Sequence, residues 1–268
     1  MFNVFKYEFK MLRNSLLIWA TTYFSIIFMM MVFYPTFSAD VAMVDKIMEN
    51  YPEELLKAFG MSSGLSLATL LGFFSFTFAL TQLFIAIQAA NYGFSILSVE
   101  EREFTADFLM SKPVSRKAIL IAKSSAALLG LWLSFLFIWI SSYMAMEIFK
   151  EGSAYDVSAF NTLIVSTLFF QLFFFSTGLA ISVILKKVRS VLSFSLGLAF
   201  GMYILNAMRA IVGGEVLGVL TPFYHFEPGR ILETGKIHWS MALISISIIL
   251  ISCLTTIVLY TKRDIHSL

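Results

Sequence analysis

Long apolar stretches run through the chain, separated by short polar breaks. A bilayer core takes about 20 consecutive apolar residues as a helix. That ruler fits six segments, at 15–36, 67–98, 117–146, 159–185, 190–212 and 239–260. The pattern predicts an all-α integral membrane protein with six transmembrane helices in a single domain over 1–268. The second and third segments exceed what a span needs, so they are expected to tilt or to project beyond the hydrocarbon.

The breaks between segments have patterns of their own. At 1–13, Phe2, Phe5, Phe9 and Leu12 recur at helical spacing, with Lys6, Lys10 and Arg13 on or beside the opposite side. This predicts an interfacial elbow helix, serving either as a brace for the bundle or as a plain anchor. At 37–66, Val41, Val44, Ile47 and Met48 recur helically, and Pro52 opens a second short run, which predicts external helices. The stretch 213–238 holds Gly213-Gly214, then Pro222 and Pro228 within an aromatic cluster. Prolines at that spacing rule out a continuous span, so an external re-entrant hairpin is expected before the last one.

The largest charged block is the loop at 99–116. Glu100, Glu103 and Asp107 form an acidic line at i, i+3 and i+7, while Phe104 and Phe108 stand at i and i+4. A short amphipathic helix follows from that spacing. Pro113 closes it by disfavouring helical geometry at Lys112, and Ser115 is placed to cap the third span ahead of Arg116 and Lys117.

Composition fixes the class. Of 268 residues, 59% are hydrophobic and 13% charged, with a mean hydropathy of +0.84. A soluble domain carries about a quarter charged residues, so much of this surface faces lipid. The net charge of +2 does not indicate a nucleic-acid binder, because the basic residues flank the apolar segments. Thirteen of the 19 lie on the side of the N-terminus and six on the other, which predicts a multi-pass protein of the cell membrane with both termini and the 99–116 loop in the cytoplasm.

Candidate chemistry is sparse. The single cysteine, Cys253, excludes a disulfide framework within one chain. The N-terminal stretch does not read as a cleavable signal peptide. There is no G-x-x-x-x-G-K-[ST] phosphate loop, no H-E-x-x-H and no G-x-S-x-G, and the histidines are scattered at 225, 238 and 266. His225 with Glu227 makes a weak metal pair. No catalytic residue, cofactor or metal site is therefore assigned. Gln82, Gln88, Asn91 and Gln171 lie inside spans, where amides need partners; they line either a translocation path or subunit interface, or hold the bundle together by hydrogen bonds. The phenylalanine run Phe169, Phe170, Phe173, Phe174 and Phe175 reads as lipid-facing bulk, Trp132 and Trp139 as packing, and Arg209 as the partner of Glu215 or Glu227.

The run Glu101 to Lys123, with Thr105, Leu109, Pro113-Val114-Ser115-Arg116 and Lys123 in register, resembles the loop between the second and third spans of type-2 ABC transporter permeases. The resemblance extends to the elbow helix, the six spans, the broken segment before the last and the terminal Lys262-Arg263-Asp264. It implies a permease of an ATP-driven exporter for a hydrophobic or amphipathic substrate such as a drug, an antimicrobial peptide or a lipid. Glu100, Glu101, Phe104, Thr105, Asp107, Phe108, Pro113 and Arg116 would then form the coupling helix and its flanks, docking on a separate ATPase subunit present in two copies. ATP and magnesium would belong to that partner, and a second permease copy or a related permease would complete the assembly. Phe104 departs from the small residue that such permeases often carry before the threonine. A membrane scaffold or immunity protein, or an ion-coupled secondary transporter, would share much of this pattern.

Overall fold

A computed structural model describes residues 2–52, 56, 64–102, 115–150, 152, 154–185, 187–212 and 215–262. Among them there is no strand, and six helices are long and apolar enough to cross a membrane. They are α1 (Phe2–Met31), α4 (Leu70–Arg102), α5 (Arg116–Phe149), α6 (Val157–Ile184), α7 (Val191–Val212) and α11 (Trp239–Lys262). Two short helices, α2 (Tyr34–Ala39) and α3 (Val41–Glu49), follow α1. Three more, α8 (Glu215–Leu220), α9 (Pro222–His225) and α10 (Pro228–Thr234), precede α11.

The helix ends follow local chemistry. Ser115 caps α5 by accepting from Ala118 N at 3.3 Å, and Asp156 caps α6 by accepting from Ser158 N and Ala159 N at 2.8 and 3.0 Å. Pro222 and Pro228 each begin a short helix, where a missing N–H leaves no bond unmade. Gly235, at φ +67°, closes α10 in the left-handed region that glycine adopts without penalty.

The segment read as a separate elbow helix at 1–13 is continuous with the first span. Nothing between Lys6 and Leu17 breaks a helix, and Glu8 faces the bundle in an ion pair with Lys123. The stacked rings of Phe2, Phe5 and Phe9 run up its side at 6.4 and 6.3 Å.

The core sits around α4, which packs on α6, α7, α1, α5 and α10. Its Phe74, Phe78, Ile85, Ala86, Ala89 and Ala90 are wholly buried. Between α4 and α6 two glycines meet: a Cβ on Gly93 would lie 2.3 Å from Phe175 O, and one on Gly178 would lie 3.0 Å from Ala90 O. Small residues at such a crossing let two backbones approach closely, the usual basis of packing between helices in lipid. By contrast α1, α7 and α11 turn apolar side chains outward, among them Leu17, Ile18, Ile204, Leu250 and Leu254. The phenylalanines of α6 are not lipid-facing bulk: Phe170, Phe173, Phe174 and Phe175 are buried, because α4, α11 and the hairpin enclose that helix. Trp132 and Trp139 point the other way, half-exposed on the outward face of α5.

Candidate functional site

Three polar assemblies interrupt the apolar interior. The first lies at the end of the bundle from which the 103–114 loop emerges. Lys123, two turns into α5 and 1% exposed, places Nζ 2.9 Å from Glu8 Oε1 on α1 and donates to Ile96 O on α4 at 2.8 Å. A lysine in such a place is expected to be paired. Here one ammonium reaches three helices.

The second assembly lies midway along the same helices. Gln88 Oε1 accepts from Tyr23 Oη at 2.5 Å, and its Nε2 donates to Ser134 Oγ at 2.7 Å and to Tyr92 Oη at 3.3 Å. Tyr92 Oη in turn meets Ser15 Oγ at 3.3 Å. Both amide hydrogens and the oxygen are engaged, so Gln88 joins α1, α4 and α5 in this conformation.

The third assembly holds the hairpin. Gln82 Nε2 donates to Phe226 O at 2.8 Å, and Thr221 Oγ1 donates to Met202 O at 2.9 Å. His225 Nε2 lies 3.1 Å from Val219 O, which can only accept, so Nε2 carries the proton and Nδ1 accepts from Ser245 Oγ at 2.6 Å. With both ring nitrogens occupied the imidazole is not a metal ligand, and no group of three metal-binding side chains occurs among the described residues. Arg209 rests 3.9 Å from the centre of the Tyr224 ring and donates to Asn206 Oδ1.

These bonds set how deeply the hairpin sits. Phe223 packs on Phe170 and Phe174 at 5.1 and 5.7 Å, and Phe226 on Phe169 at 6.3 Å. Phe170 is thirteen residues into α6, about 20 Å along its axis at 1.5 Å per residue. The non-helical backbone at Thr221 and Phe226 thus lies among the middles of the spans, where Phe226 O accepts from Gln82 of α4 and the two N–H groups donate within the hairpin, to Gly218 O and Pro222 O, as backbone at that depth requires.

The candidates singled out from sequence separate accordingly. Glu100 and Glu101 fall in the last turn of α4 and Arg116 is the first residue of α5, so they flank the loop. Phe104, Thr105, Asp107, Phe108 and Pro113 lie outside the described residues. Gln82 and Gln88 are buried in separate assemblies, and Asn91 is half-buried beside the second. Gln171 is 1% exposed, and neither amide atom has a hydrogen-bond partner among the described residues. Lys123 with Glu8, and Gln88 with Tyr23 and Ser134, were not anticipated as partners. The available signal was a lysine in an apolar run and Glu8 as the one acid between residues 2 and 31.

Residues 2–265 match the family model described as ABC-2 family transporter protein, nearly the whole chain. No curated protein matches the sequence.

Proposed function

Since the chain belongs to the ABC-2 transporter family, we propose that this multi-pass membrane protein is the permease subunit of an ATP-driven exporter. It works with a separate ATPase in two copies and with a second permease, identical or related. The match over 2–265 carries this reading. The lack of a phosphate-binding loop in the sequence supports leaving ATP and magnesium to the partner chain. The 13-to-6 division of basic residues supports a cytoplasmic position for both termini and for the loop between α4 and α5.

In this reading Glu100, Glu101, Phe104, Thr105, Asp107, Phe108, Pro113 and Arg116 form the docking element. Closure of the ATPases presses on the loop, and the loop's two roots move α4 against α5. The hairpin α8–α10, seated between the middles of α4, α6 and α7, closes the opposite end and must shift for cargo to leave. The phenylalanine-rich interior around α6 supports a hydrophobic or amphipathic cargo, such as a drug, an antimicrobial peptide or a lipid.

Purification of the tagged chain from its native membrane in mild detergent, followed by identification of co-purifying chains and an ATPase assay, tests the proposal. A stoichiometric P-loop subunit whose turnover depends on the permease is the expected result. Absence of any ATPase in every detergent and in nanodiscs overturns it and favours a scaffold or an ion-coupled transporter.

A further inference from the structure

The six spans pack as two groups. α1 lies chiefly along α5, whereas α4 lies chiefly along α6 and α7, with α11 on α6. The 103–114 loop leaves the second group at Arg102 and enters the first at Arg116, so any force on it acts between the two groups. Lys123 is seven residues past Arg116, and Ile96 is six before Arg102, each about 10 Å along its helix from the loop. At that level the bond from Lys123 to Ile96 O crosses from one group to the other.

We infer that Lys123 is a positioning residue for coupling: its bond to Ile96 O, held in place by the ion pair with Glu8, makes the roots of the loop move together. The inference rests on the proposed function. Stability alone gives no reason for the arrangement, because a buried ion pair replaced by apolar or neutral groups of similar volume commonly leaves a protein as stable or more so. An apolar contact at this point would let α4 slide along α5. An ammonium with three donors holds a carboxylate on one helix and a carbonyl on another in fixed directions. A buried charge near a span is most often functional or paired, and this one is both paired and next to the loop.

The test compares E8Q, the neutral pair E8Q/K123M and the charge swap E8K/K123E in the purified complex with its ATPase. E8Q keeps a neutral acceptor for Lys123 but leaves the buried ammonium without its carboxylate, so it is expected to melt lowest of the charge-neutralised variants and to lose only about threefold in permease-dependent turnover, because the bond to Ile96 O can still form. The neutral pair removes the bond, and the swap sets a carboxylate against the Ile96 carbonyl. Both are expected to lose at least about tenfold in permease-dependent turnover at unchanged KM for ATP and with ATPase binding retained, although the neutral pair melts above E8Q. Hydrogen exchange of the amides at 97–102 gives a second readout, which needs no ATPase: it should quicken about tenfold in E8Q/K123M and in the swap, and less in E8Q. Normal turnover in E8Q/K123M, or losses that follow melting temperature across the series, overturns the inference. If no ATPase accompanies the native chain, the proposed function fails, and unaltered exchange at 97–102 would separately dismiss the link between α4 and α5.

Discussion

The closest backbone approach described between two spans yields a graded prediction. On Gly93 of α4 an added methyl would sit 2.3 Å from Phe175 O and 2.9 Å from Leu179 N, both backbone atoms of α6 that no rotamer change can move. Ordinary contact begins at 3.4 Å, so G93A must part the two helices by about 1 Å along their shared face, loosening contacts of rings such as Phe74 with Phe160. Overpacking of this kind typically destabilises by about 1–3 kcal/mol, and the α4–α6 pairing is the centre of the core, which sets the expectation near about 3 kcal/mol. On Gly178 the methyl would meet Ala90 O at 3.0 Å and the Phe94 ring at 3.3 Å, contacts a few tenths of an ångström of adjustment can relieve, so G178A should cost about 1 kcal/mol. Gly197 and Gly201 on α7 have nothing within 4 Å, and alanine there should be neutral or slightly stabilising. Thermal unfolding of the purified protein in one detergent, at about 2–4 °C per kcal/mol, should rank the variants G93A, then G178A, then G201A, spanning roughly 6–12 °C. If G93A melts with G201A, the α4–α6 crossing is not as described and the two-group arrangement loses its basis.

Replacing Gln88 with Met leaves the Tyr23 hydroxyl and Ser134 Oγ buried without their bonds, and should lower stability by about 2 kcal/mol, read as a fall in melting temperature; an unchanged melt would mean that α1 and α5 find other partners. Within the proposed function, F104A/F108A should abolish permease-dependent ATP turnover with the spans still inserted, and preserved turnover would exclude those rings as the docking contact.

How far the sequence alone reached depends on the range of the forces involved. Span number, and the limits of every span but the first, were legible because a helix in lipid must satisfy its own backbone and show some 20 apolar residues to do it, a requirement met within each segment. The breaks at Pro222 and Pro228, and the cap at Ser115, are local for the same reason. Which way a buried face points is not local. An all-apolar helix has no polar side to orient it, so the phenylalanines of α6, expected to face lipid, are buried instead. Gln82, Gln88 and Gln171 look alike as amides inside spans, and only the partners brought by other helices make two of them satisfied and leave the third without a bond among the described residues. Lys123 shows the division best. Its charge and position could be read as a membrane flank, but its burial depends on Glu8 and Ile96, 115 and 27 residues away in the chain, and proximity of that kind is decided only when the helices pack.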